Sequence, residues 1–190
     1  FDENKNYNTI NGHKVLNVYT DYTLASKLLR SINNIIIRSF EDIYKHETIT
    51  NEIEILLTTP FNLHEMQLEE FQKRIIFEGL NKPKNVKLYK NVPRIGRDGK
   101  LRAKNRSIFL TLRYRNNKLK PINSLLPLVS HELTHTALNH VTWKDDNHGK
   151  IFEMYDKLIL KHLKSNILNG DNFNRFPKRR NKRIQYNILK

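Results

Sequence analysis

Within 190 residues there is room for one domain with a substantial core and a tail, but not for two full domains. The absence of cysteine excludes disulfides and thiolate metal ligands, and no apolar run approaches the ~18 residues of a helical membrane span. The net charge of +15 lies in two segments, residues 82–106 with ten Lys or Arg against Asp98 alone and residues 171–190 with seven against Asp171, and the remainder is neutral.

The first residues show no charged start followed by an apolar stretch, so no secretory signal is expected, while the opening at Phe1 rather than Met leaves a processed or trimmed product open. Residues 1–20 read as an arm, with a short strand near Val15, Leu16, Val18 and Tyr19. Thr20 or Asp21 can cap a helix running to about His46, whose apolar face is Leu24, Leu28, Ile32, Ile35, Ile36, Phe40 and Ile43. Residues 52–58 alternate Ile53, Ile55 and Leu57, which predicts a strand stopped by Pro60. Asn62 with Glu65 three residues on predicts a helix start, continued by Leu63, Met66, Phe71, Ile75 and Leu80. His64, in its first turn, reads as a surface residue.

Residues 86–92 and 107–115 read as strands joined by a loop with Asp98-Gly99 as its turn. That hairpin would crowd Arg94, Arg97, Lys100, Arg102, Lys104 and Arg106 at its tip and flanks, and Arg113 and Arg115 would extend the patch along one strand face. A second basic cluster, Lys178, Arg179, Arg180, Lys182 and Arg183, lies between Phe176 and Tyr186 in the tail, residues 166–190. Basic segments on a neutral body predict binding of DNA or RNA through its phosphates; charge runs are also common in solvated loops. The tail resembles a nuclear import signal, which points to an intracellular, nuclear or virion-associated protein.

The stretch HELTH, residues 131–135, carries the chemistry. Asn123 or Ser124 caps the helix that holds it, with Pro127 expected in the first turn. Residues four apart share a helix face, so His131 and His135 can hold one metal ion, and Glu132 beside them can take a proton from a water on that ion. Leu126, Val129, Leu133, Ala137 and Val141 form the buried stripe opposite. The metzincin pattern is excluded, because Leu138 and Val141 stand where it needs Gly and His. A third ligand must come from His140, Asp145, Asp146, His148 or Glu153. His140 fits only if the helix has already ended, and Glu153 has a spacing near that of thermolysin-like enzymes. His148 is preferred, because residues 143–147 read as a turn and helical periodicity resumes from Gly149 through Phe152, Tyr155, Leu158, Ile159 and Leu163. Tyr155 lies on that apolar stripe, so core packing is expected of it rather than help to an oxyanion.

HELTH, then a polar loop, then His-Gly-x-x-Phe resembles the SprT-like and WLM group of zinc metallopeptidases, which includes the Spartan-type proteases acting on DNA–protein crosslinks. The resemblance covers mainly residues 107–160, and the loop between His135 and His148 is longer than in the shortest WLM members. An Asn-, Ile- and Lys-rich composition is similar to WLM-domain proteins of large DNA viruses and equally to products of AT-rich genomes. The resemblance implies His131, His135 and His148 as zinc ligands and Glu132 as general base. It also implies an α+β zincin-like domain of the minigluzincin type over residues 21–165, a small, mostly antiparallel sheet packed on helices. In related zincins the strand before the motif helix lies along the substrate, here residues 107–115. The expected activity is hydrolysis of peptide bonds in a protein substrate. The alternative is a basic nucleic-acid-binding or virion-core protein with a structural or vestigial zinc site; Glu132 argues against it, since a structural site needs no general base.

Overall fold

The longest helix follows its periodicity. In the computed structural model, which describes residues 6–66, 78–88, 101–141, 148–168 and 171, α1 spans Tyr22–His46. Leu28, Ile32, Ile35, Ile36 and Ile43 are fully buried along one face, with Leu24 and Phe40 packed at its margin. Lys45 and His46 fall in the last turn, where cations favour the helix dipole.

The segment read as an arm is a docked hairpin of β1 (Tyr7–Ile10) and β2 (His13–Leu16), paired antiparallel. Its turn is Asn11-Gly12, both at positive φ (51° and 80°), the backbone that a two-residue hairpin requires. Val15 is fully buried.

Two expectations fail in the following stretch. Residues 51–58 form a helix, α2 (Asn51–Thr58), rather than a strand: Thr50 accepts a capping bond from Ile53 N at 3.3 Å, and Glu52 and Glu54 occupy the first turn. Ile53 and Leu56, three apart, go into the core, while Leu57 of the expected alternation is only half buried. Residues 61–65 form a strand, β3 (Phe61–Glu65), rather than a helix start; residues 67–77 of the expected helix lie outside the described residues. Tertiary pairing overrides the local capping pattern. Leu63, His64 and Glu65 are all buried, and the β1–β2 hairpin bonds to them: His13 Nδ1 donates to Leu63 O (2.9 Å), Lys14 N to His64 Nδ1 (3.0 Å) and Leu16 N to Glu65 Oε2 (2.9 Å). His64 is therefore interior, not surface.

β4 (Gly79–Leu88) and β5 (Leu101–Leu110) pair antiparallel, as expected of these two segments, but both lie earlier in the chain than the expected residues 86–92 and 107–115; residues 89–100, with the Asp98-Gly99 turn, lie outside the described residues. β3 joins β5 on its other side in parallel, from Phe61↔Arg106 to Glu65↔Leu110, and the sheet order is β3-β5-β4. β5 is thus central, and every residue from Ile108 to Arg113 is buried instead of alternating. Two corrections follow. Over Arg106–Leu110 β5 is paired on both sides, so that stretch cannot take a substrate strand by main-chain bonding; among the described residues the edge strands of the sheet are β3, against which the β1–β2 hairpin lies, and β4. Arg113 does not extend a basic surface: it is 4% exposed, with Nε on Glu65 Oε1 (2.7 Å) and Nη1 on Asp21 Oδ1 (2.8 Å). Arg115 is exposed.

α3 (Ile122–Ala137) follows, then α4 (Lys150–Ser165) with Gly149 at its N-cap. α3 begins one residue before the expected caps, with Pro121 at the N-cap and no side-chain bond there. Pro127 consequently sits inside the helix rather than in its first turn, where it leaves the carbonyl of solvent-facing Asn123 without its helical donor. α3 packs on α2, α4, β4 and β5, and Ser130 Oγ donates to Asp156 O of α4 at 2.8 Å. The architecture is α+β: among the described residues, four helices, a two-stranded antiparallel hairpin and a three-stranded mixed sheet. Among the described residues no helix is long and apolar enough to cross a membrane.

Candidate metal centre

α3 is enclosed on nearly every side. Only Asn123, Ser124, Pro127, Leu128, His131 and His135 are not buried, and they recur at spacings of three or four along a single face. The buried stripe of Leu126, Val129, Leu133 and Ala137 lies opposite, as its periodicity predicts, whereas Val141, the last residue expected in it, lies past the end of α3 and is half buried. The two motif histidines are therefore presented on the one open face of an otherwise interior helix.

His131 Nε2 and His135 Nε2 are 3.2 Å apart, and each of His131, His135 and His148 offers a nitrogen within 4.8 Å of the others. Two nitrogens bound at ~2.0–2.1 Å to one tetrahedral ion are separated by about 3.3 Å, so the first pair already has the spacing of shared ligands. This group can hold a metal ion. His148 comes from the residues just before α4, and its ring stacks on that of His131 (centroids 4.8 Å, 20°). Phe152, one turn into α4 and 3% exposed, lies against all three rings at 4.4 to 5.0 Å, an apolar floor that fixes the cluster. Burial, reinforced by the neighbouring His131, His140, His148 and Arg106, pushes the His135 imidazole down to about 2, so it is held in the neutral form that ligates metal.

Glu132 is 4% exposed and its carboxylate lies against the backbone of Gly79 at the start of β4. A Cβ at residue 79 would stand 2.8 Å from Leu128 Cδ1 and 2.9 Å from Glu132 Cδ, with Glu132 Oε1 nearer still. Only glycine leaves room for the carboxylate there. A cleft of about 340 Å³ opens beside it, lined by Glu78, Gly79, Ser124, Pro127, Leu128, His131 and Glu132. Asn81 of β4 ties strand to helix: its Nδ2 donates to Glu132 O (2.6 Å) and Thr136 Oγ1 (2.9 Å), and its Oδ1 accepts from Arg106 Nη1 (3.0 Å).

The other candidates separate clearly. Glu153 is exposed and outside the histidine group, and Tyr155 turns away to α2, where it bonds Thr50 Oγ1 and Glu52 Oε2 at 2.9 Å each. Asp145 and Asp146 lie outside the described residues. Among the basic residues, Arg94, Arg97, Lys100, Lys178, Arg179, Arg180, Lys182 and Arg183 also lie outside them, Lys104 is exposed, and Arg102 is half buried with Nη2 on Thr58 Oγ1 (2.9 Å). Arg106 corrects the expected phosphate patch: it is 1% exposed and bonds Asn81 and His140, and burial lowers its guanidinium to about 10, still cationic at neutral pH. Gly79, Asn81 and Arg106 were not legible as site residues, because each acts only after β4 is laid across α3. No family model matches the chain, and no curated protein or solved structure matches it either.

Proposed function

We propose that the chain is a zinc-dependent metallopeptidase in which His131, His135 and His148 hold the ion and Glu132 is the general base. The observation that carries this reading is the union, on one helix face and one loop, of a three-histidine cluster with a carboxylate seated beside an open cleft. These three neutral histidines would hold zinc, which would supply the Lewis acidity that lowers the pKa of a water towards about 7. Glu132 accepts the proton of the attacking water and returns it to the leaving amine; the backbone of Gly79 and the Asn81 bond to the helix hold that carboxylate in place. The substrate backbone lies along the outer edge of β4, the sheet edge next to Glu132, and its side chains enter the cleft between Gly79 and Pro127. Identification as a zincin-like, SprT- or WLM-type peptidase rests on this site and on the His-Gly-x-x-Phe sequence at residues 148–152.

The decisive experiment compares wild type with Glu132→Gln on a denatured protein substrate. Gln keeps the shape but lacks a basic carboxylate, so zinc content and melting temperature should be retained while hydrolysis falls by about 10²- to 10⁴-fold. Equal cleavage by the two proteins would remove Glu132 from the reaction. Hydrolysis by neither, with zinc bound, would favour a site that is structural.

A further inference from the structure

A fourth histidine is built into the centre. His140 lies just past the end of α3, where Asn139 adopts a left-handed conformation (φ 52°) that turns the chain back towards the helix. The return is fixed through the backbone: His140 N donates to His135 O at 3.0 Å, and the buried Arg106 Nη1 donates to His140 O at 2.9 Å. The two imidazoles then meet Nδ1 to Nδ1 at 2.8 Å, with ring centroids 5.1 Å apart. At the other end of the His135 ring, Nε2 faces His131 Nε2.

We infer that His140 is a positioning residue for His135: its Nδ1 accepts the hydrogen bond that holds His135 as the Nδ1–H tautomer and commits Nε2 to the metal. The inference rests on the reading that His131, His135 and His148 bind an ion. A neutral imidazole that ligates through Nε2 carries its proton on Nδ1, and that N–H needs an acceptor to set the plane of the ring. One proton lies between two nitrogens, so His140 presents Nδ1 bare and carries its own proton on Nε2. His140 cannot itself share the ion through that nitrogen, because it touches His135 at the atom facing away from the ligand cluster. His140 also lies outside the group of residues whose ligand atoms come together to hold an ion, His131, His135 and His148. Arg106 belongs to the same device. By gripping the carbonyl of His140 and, through Asn81, the carbonyl of Glu132, one buried cation sets both the acceptor for a ligand and the register of the motif helix.

The test uses the full chain, zinc affinity by chelator competition and the Co²⁺ absorption spectrum. Wild type comes first: no saturable single-site zinc binding would defeat the metal reading itself. With binding established, His140→Phe, which keeps a ring but removes the acceptor, should weaken zinc by about 10- to 100-fold. His140→Asn places Oδ1 where Nδ1 stood and should recover most of that loss, with the Co²⁺ band intensity of wild type in both variants because the ligand number is unchanged. Wild-type affinity in His140→Phe, or failure of His140→Asn to recover, would overturn the role. So would a change of Co²⁺ coordination number, which would make His140 a ligand. Should His140→Phe fail to fold, long-range ¹H–¹⁵N spectra of the zinc-loaded wild type decide alone: protons on His135 Nδ1 and His140 Nε2 are expected, and the opposite pair refutes the inference.

Discussion

Gly79→Ala is the sharpest test of how Glu132 is held. The backbone of Gly79 is not in the left-handed region, so the substitution strains nothing in the main chain and acts only through its methyl group. Ordinary contact begins at 3.4 Å, so Glu132 Cδ, 2.9 Å from the new Cβ, must retreat by 0.5 Å (3.4 less 2.9), and Oε1, which is closer, by more. Leu128 Cδ1 at 2.8 Å is the end of a flexible side chain and yields easily. A misplacement of about 1 Å at a reacting group costs on the order of 10²-fold in rate. We therefore expect kcat to fall by about 10- to 100-fold, equivalent to about 1.4–2.7 kcal/mol of barrier. Zinc affinity should be unchanged, because the atoms nearest the new methyl group belong to Glu132 and Leu128 rather than to a histidine, and stability should fall by about 1–3 kcal/mol from overpacking. The assay is steady-state cleavage of a peptide substrate by protein of measured zinc content, with urea unfolding alongside. A variant with wild-type kcat would show that the carboxylate does not work from its seat on β4; loss of zinc together with activity would show that the effect runs through the ligands instead.

The remaining predictions concern the third ligand and the charged surface. His148→Ala should lose stoichiometric zinc while Glu153→Ala retains it; the reverse result, read by metal analysis after dialysis, would indicate a thermolysin-like ligand set. Binding to duplex DNA should weaken linearly on logarithmic axes as salt rises, with a slope near −0.9 per phosphate contact. Deleting residues 171–190 should make that slope shallower without altering zinc content, and identical slopes would remove the tail from the interface. Because Arg106 is buried, Arg106→Gln should leave the slope unchanged while lowering stability and zinc affinity, whereas Lys104→Gln should do the opposite.

How much of this was legible depends on whether the information is local. α1 was readable to its last turn, and the face of α3 that carries His131 and His135 was readable from spacing, because helical period is a property of the segment itself. His148 was singled out by an expected turn at residues 143–147, which lie outside the described residues, followed by resumed periodicity, again a local signal. Residues 51–66 were misread twice because short segments carry both periods. Ile53, Ile55 and Leu57 fit a strand while Ile53 and Leu56 fit a helix, and the Thr50 cap decided between them. At residues 61–65 the capping pattern was outweighed by what arrived from elsewhere in the chain: β5 on one side and the β1–β2 hairpin bonding to Leu63, His64 and Glu65.

Charge shows the same limit in a form that matters for function. A count along the chain fixes how much positive charge a segment carries but not which way it faces. Arg106 and Arg113 were both assigned to a surface for phosphates, and both are interior. Their burial is resolved differently: Arg113 has the carboxylates of Glu65 and Asp21, whereas among the described residues Arg106 bonds neutral oxygens, of Asn81 and His140, and its Nε and Nη2 find no hydrogen-bond partner there. An interior cation without a carboxylate is costly, and an apolar residue of similar size would normally be the more stable choice. Its retention is accounted for if the site needs a donor that reaches two carbonyl oxygens at once while adding positive charge near His135. The charge favours the neutral form of the His135 imidazole, and the donor fixes the chain at His140. The basic segment between residues 82 and 106 is thus divided at its end: Lys104 is exposed, and the final arginine is withdrawn into the interior beside the histidine cluster.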